Sequence, residues 1–111
     1  MRHDAEDLLK GTLDMLILKS VELAPMHCWG ISERISQLSR GVFTVQTGTL
    51  YPALQKLLRQ GLIAAEWRTS DNARRARYYQ LTPSGRKRLD AERVSWERAS
   101  LAVRRILNAQ G

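Results

Sequence analysis

The sequence predicts a mainly α fold with one β-hairpin, an α+β domain in which three helices precede the hairpin and a long helix follows it. Three observations carry this. Leucine and isoleucine recur at helical spacing in three separate stretches before residue 60; the period switches to two after Leu62; and Thr82-Pro83 opens a further amphipathic run to the C-terminus. With 111 residues, 43% of them hydrophobic, the chain holds one domain's worth of core.

From about Ala5 to Leu23, Leu9, Leu13, Leu16, Ile17 and Val21 form a single stripe, and Pro25, which restricts Ala24, ends the first helix. Ile31, Ile35 and Leu38 mark a second helix over about Trp29–Arg40, with Ser39-Arg40-Gly41 as its stop and Gly41 able to turn left-handed. Val42–Val45 is short and β-branched, suited to an extended connector or a minor strand. Leu50, Leu54, Leu57 and Leu58 give the third helix, which Gly61 ends. Pro52 is tolerated only near a helix start, so the helix begins a few residues upstream, with Thr47 or Thr49 as cap and Tyr51 in the exposed first turn.

Ile63, Ala65 and Trp67 then alternate with Leu62, Ala64, Glu66 and Arg68, Ser70-Asp71-Asn72-Ala73 is turn chemistry, and Arg77–Leu81 is the returning strand. The hairpin tip carries Arg68, Arg74, Arg75 and Arg77, balanced by Asp71. Thr82 caps the last helix and Pro83 occupies its first position. Along that helix Leu89, Trp96, Ala99, Val103 and Ile106 form a seam, broadened by Leu107, that needs a partner surface. Thr82 is the sharpest boundary, dividing residues 1–82 from the helix of residues 83–111.

Three helices and a two-stranded hairpin in this order describe a winged helix-turn-helix module, in which the third helix enters a DNA major groove and the hairpin, or wing, flanks it. The charge agrees: 18 Lys and Arg against 11 Asp and Glu give +7, which favours a polyanion, nucleic acid before an anionic membrane surface. Thr47, Thr49 and Tyr51 offer hydroxyls at a helix N-terminus, where N–H groups and the helix dipole favour an anion; capping and packing are their structural alternatives. Gln55 and Lys56 are the next polar positions along the helix. The four wing arginines repel one another, a cost that a phosphate backbone or a narrow minor groove relieves. Arg86, Lys87 and Arg88 stand in the first turn of the last helix, against its dipole, and call for a nearby anion.

Other classes fare worse. His3, His27, one cysteine and scattered carboxylates supply no spaced nucleophile and base and no phosphate loop, so no enzyme, cofactor or metal is expected. His27-Cys28 falls short of the three or four ligands of a zinc site. The sole cysteine, Cys28, forms no internal disulfide, and charged residues interrupt residues 1–24, so a soluble cytoplasmic protein with no membrane segment is expected.

TGTLYPALQKLLRQGLI followed by RYYQLTPSGRKRL closely resembles the PadR family of bacterial transcriptional regulators, whose members share a G-T-L-Y-P-x-L helix, a G-L-I lead into the wing and a Y-Y-x-L-T-x-x-G run into the dimerisation helix. Both motifs match, at Gly48–Leu54 and Tyr78–Gly85; the likeness spans about residues 8 to 108, and the single C-terminal helix resembles the short subfamily. The resemblance implies a homodimeric repressor that reads double-stranded operator DNA, often released by a small aromatic or cationic effector. It carries Thr47, Thr49, Tyr51 and Lys56 over as DNA contacts of the third helix, and the wing arginines as contacts to the backbone or minor groove. A two-fold dimer would read half-sites about one helical turn, roughly 10 bp, apart. Trp96 is then either a packed interface aromatic or a stacking surface for the effector. Trp29 stands where relatives commonly have a tyrosine-like aromatic, which bears on the pocket near the second helix, and Leu58 where a glutamate is common. The alternative function class is a winged helix that binds RNA or protein without direct transcriptional output.

Overall fold

The computed structural model describes residues 5–111, so His3 lies outside the described residues. The elements are α1 (Ala5–Leu23), β1 (Met26–His27), α2 (Cys28–Leu38), α3 (Thr47–Arg59), β2 (Ile63–Thr69), β3 (Arg75–Leu81) and α4 (Pro83–Leu107). The expected order of three helices, hairpin and long helix is present. One element is new: β1, two residues long, pairs antiparallel with β3 through Met26 opposite Tyr79 and His27 opposite Tyr78, giving a three-stranded sheet in the order β1-β3-β2.

The core lies where the three helical stripes meet the inner face of the sheet. Ile17, Leu18 and Val21 of α1, Ile31 and Ile35 of α2, and Leu50, Leu54 and Leu57 of α3 close on Ile63 and Tyr79 of the hairpin. Arg34 of α2 secures the end of α1 by donating from Nη1 to the carbonyls of Ser20 and Ala24, at 2.7 and 3.0 Å, where a cation also favours the helix dipole. His27 caps α2, its Nδ1 accepting from the Gly30 N–H at 3.0 Å.

Two helix ends refine the sequence reading. The left-handed position that closes α2 is taken by Arg40, at φ 55°, with Gly41 following at φ 81° and donating to the Ser36 carbonyl at 2.8 Å. Residues 42–45 form no strand; the connector is held by Ser32 Oγ, which donates to the Val45 carbonyl at 2.6 Å. At the start of α3 the cap is Gln46, which makes no side-chain capping bond, so neither Thr47 nor Thr49 caps the helix. Pro52 falls in the sixth helical position and leaves the Gly48 carbonyl without an i+4 donor.

The junction after α3 has no slack. Gly61 adopts φ 73°, the Leu62 N–H donates to the Leu57 carbonyl at 3.0 Å, and both leucines are buried, so the helix stops and the strand starts within three residues. Thr82 caps α4 as expected, accepting from the Gly85 N–H at 3.0 Å, and its hydroxyl donates to the Gly61 carbonyl at 2.7 Å. Its own N–H donates to the Leu62 carbonyl at 3.2 Å.

Beyond Trp96, α4 leaves the body. Its 25 residues extend about 37 Å, and the radius of gyration is 15.7 Å, against about 13 Å for a compact chain of this length.

A methyl group on Gly85 would collide with the Leu62 carbonyl oxygen, whereas one on Gly48 would meet nothing within 4 Å. Gly85→Ala is therefore expected to cost about 2 kcal/mol of stability in urea denaturation. Gly48→Ala should leave the midpoint unchanged or raise it.

Candidate nucleic-acid interface

Two adjacent elements present the basic and polar side chains that sequence reasoning singled out. On α3 the buried stripe of Leu50, Leu54 and Leu57 sets the opposite face outward. At 100° per residue that outward face centres on Gly48, Pro52 and Arg59, all exposed, and Thr49 and Tyr51 flank it on either side. Thr47 is exposed in the first turn. Arg59 was not among the expected contacts; its position opposite the leucine stripe is the signal that identifies it.

Two of the expected α3 contacts lie elsewhere. Lys56 turns toward α1, where its Nζ meets Asp14 Oδ2 at 2.6 Å in a half-buried ion pair. Gln55 is half-buried, its Nε2 shielded from solvent and without a hydrogen-bond partner. Periodicity placed both residues away from the leucine stripe but could not see that Asp14 of α1 meets Lys56.

The hairpin carries its arginines on both faces. The register sets Trp67 opposite Arg77 and Thr69 opposite Arg75, on the face whose inner part, Ile63 and Tyr79, is buried. Arg68 lies on the other face beside Glu66, to which it is ion-paired, and its guanidinium stands over the Tyr78 ring, 5.3 Å from the centroid. The wing charge is thus offset by Glu66 as well as by Asp71. No ion pair among the described residues engages Arg74, Arg75 or Arg77. The turn joining the strands is tied by Ser70, whose N–H donates to the Arg74 carbonyl at 2.6 Å, and Ala73 takes a left-handed φ of 63°. His27 meets the edge of Tyr78 at 5.2 Å and stacks on the exposed Trp29 at 6.2 Å, extending the aromatic row to the start of α2.

Of the three cations at the start of α4, Arg86 has an anion partner among the described residues. Glu22 accepts from Lys19 at 2.8 Å and from Arg86 at 3.0 Å, and the Lys19 hydrogen bond, with the positive charges of Arg86 and Arg93 nearby, holds its carboxyl below the usual carboxylate range. Cys28 opens α2 half-buried, and burial pushes its thiol up, so it stays protonated and weakly nucleophilic at neutral pH.

The seam residues of α4 divide. Leu89 is 1% exposed within its own subunit, so it belongs to the core and not to an interface. Trp96, Ala99, Val103 and Ile106 are exposed, Trp96 by 45% and Ile106 by 73%. Val94 and Leu101, missed because they stand outside the seam, form a second exposed apolar strip on the opposite side of the helix. Trp96 also borders an open groove of about 460 Å³ with Glu92, Ala53 and the Asp14–Lys56 pair.

A model of the transcriptional regulator PadR-like family matches residues 17–91. The chain belongs to that family. It is 40% identical over 67 residues to the transcriptional regulator Rv3488 of Mycobacterium tuberculosis, 60% of this chain and 62% of that one. An uncharacterised protein of Lysinibacillus sphaericus is 27% identical over 90 residues, 81% of this chain and 83% of that one. The crystal structure of a PadR-like transcriptional regulator from Bacillus cereus matches with a TM-score of 0.83 at 25% identity, covering 94% of this chain and 99% of that one. A PadR family regulator from Eggerthella lenta matches with 0.81 at 26%, over 94% and 88%. The PadR-like assignment agrees with the α+β winged-helix architecture and sets the function class as transcriptional regulation, in a family of regulators rather than enzymes. Among the described residues no helix is long and apolar enough to cross a membrane.

Because Lys56 is engaged with Asp14, Lys56→Gln should lower stability by about 0.5–1 kcal/mol while leaving the salt dependence of duplex binding unchanged. Fluorescence titration of a DNA duplex at several salt concentrations reads the second outcome; a shallower slope would return Lys56 to the phosphate contacts.

Proposed function

We propose that this PadR-like regulator is a cytoplasmic homodimer that binds operator DNA and represses transcription, with α3 in the major groove and the wing on the backbone or in the minor groove. The observation that carries the reading is the adjacency of two outward-facing surfaces. The exposed face of α3, with Thr47, Thr49, Tyr51 and Arg59, runs without a linker into a hairpin whose Arg74, Arg75 and Arg77 carry no ion pair among the described residues. Helix hydroxyls and arginines in this relation suit phosphate positioning on either side of a groove about 12 Å wide. Residues 1–82 supply the DNA-binding unit and residues 83–111 the dimerisation helix, whose first turns also complete the core through Gly85 and Leu89.

The dimer rests on α4. A helix that projects from the body with Trp96, Val103 and Ile106 on one side and Val94 and Leu101 on the other exposes apolar surface that a second copy would cover on both sides. The groove beside Trp96, edged by Glu92 and by Asp14 with its Lys56 partner, supplies an aromatic side chain and the Glu92 carboxylate to a small aromatic or cationic effector.

In a mobility-shift assay on the DNA upstream of its own coding sequence, Arg74→Ala/Arg75→Ala should weaken binding at least tenfold and flatten the salt slope by about 2. Equal binding by the double variant would remove the wing from the mechanism, and preference for single-stranded RNA over duplex would favour an RNA-binding module. In light scattering, Val103→Glu/Ile106→Glu should shift the protein from two copies to one; a wild-type monomer would sink the dimer.

A further inference from the structure

We propose that Trp67 is the positioning residue for Arg75, its indole holding the guanidinium against the wing so that the charge meets the DNA backbone already oriented. The inference rests on the duplex-binding reading above and names how one of its contacts is prepared.

The register puts Ile63, Ala65, Trp67 and Thr69 on one face with Leu81, Tyr79, Arg77 and Arg75. The inner half of this face is core, with Ile63 and Tyr79 buried, but the outer half passes beyond the body and leaves Trp67 60% exposed. Nothing inside the subunit accounts for so large an apolar side chain at that place. What surrounds it is cationic: Arg77 stands directly opposite, and Arg75, two pairs further along and diagonal to it, lays its guanidinium carbon 5.4 Å from the indole centroid. That distance is within the range at which a cation is attracted to the face of a tryptophan, the most favourable of the aromatic rings.

Arg68 supplies the contrast. It too stands over a ring, Tyr78, but Glu66 takes its charge in an ion pair, so a phosphate would have to compete with a carboxylate for it. Arg75 is stacked and carries no ion pair among the described residues. A ring contact consumes neither charge nor N–H donors, yet it removes much of the rotamer freedom that a solvated arginine would lose on meeting a phosphate. The wing therefore carries one arginine that is restrained and still fully charged, and the ring restraining it is Trp67.

A double-mutant cycle on a labelled duplex spanning the region upstream of its own coding sequence tests this. Trp67→Ala is expected to weaken binding about tenfold in the wild-type background and less than about twofold in the Arg75→Ala background, the signature of two residues acting as one unit. Arg75→Ala should flatten the salt slope by about 0.9, whereas Trp67→Ala, which keeps the guanidinium, should leave it unchanged. If Trp67→Ala unfolds in circular dichroism, Trp67→Phe and Trp67→Leu make the same comparison: phenylalanine keeps a ring face and should bind within about threefold of wild type, while leucine, apolar without a ring, should not. Losses that multiply between Trp67→Ala and Arg75→Ala, or equal binding by the Phe and Leu variants, overturn the positioning role alone. Absence of duplex binding by the wild-type protein overturns the DNA-binding reading and this inference with it.

Discussion

The carbonyl of Leu62 is the point on which the molecule turns. The Thr82 N–H donates to it, the Thr82 hydroxyl holds the neighbouring carbonyl of Gly61, and Gly85 passes so close that only a hydrogen fits in the place of a side chain. Four element ends converge there: α3 finishes, β2 begins, β3 finishes and α4 begins. A backbone carbonyl with one fixed donor and a close-packed neighbour has little room to adjust. The direction of the hairpin and the direction of the long helix are consequently set by the same few atoms, and both are set relative to α3.

That convergence explains the pattern of charge around it. Arg86 and its neighbours would oppose the dipole of α4 if they stood alone, but Glu22, at the end of α1, lies within reach and is shared with Lys19. Arg34 performs the complementary task at the same end of α1, where the last carbonyls collect partial negative charge. Among the described residues Arg74, Arg75 and Arg77 carry no ion pair, like Arg59, Lys87 and Arg88, and what sets the three apart is their place together on the hairpin beside α3. The net charge of +7 alone does not distinguish them from the basic residues engaged in holding the fold.

How much of this the sequence discloses depends on the range of the interaction. Signals confined to a few neighbouring residues were legible: the Thr82-Pro83 start of α4, the Gly61 stop of α3, and the leucine stripe that decides which side of α3 faces out. Long-range decisions were not. Strand β1 is two residues long and exists because β3 passes beside it, so no period announces it. The start of α3 was misplaced because its cap follows from where Val45 is buried and where Ser32 ties the connector, and not from the preference of threonine for a cap. Lys56 found its partner in Asp14, 42 residues away, which a local reading leaves unmatched. Leu89 lies on the same stripe as Trp96, Val103 and Leu107, and a stripe cannot say whether what covers it is the chain's own core or another molecule.

The long helix has a mechanical consequence. It is gripped by Thr82, Gly85 and Leu89 and still runs beside α1 at Glu92 and Trp96, and the length past Trp96 is a lever arm. From Trp96 to Leu107 the arm is about 16 Å, so a tilt of about 10° at the grip swings the far end by about 3 Å, roughly half a helical turn. In the proposed symmetric pair both arms would swing together, and the gap between the two grips would open or narrow accordingly. Small repacking where the shafts cross would thus become a change in the span between two distant heads.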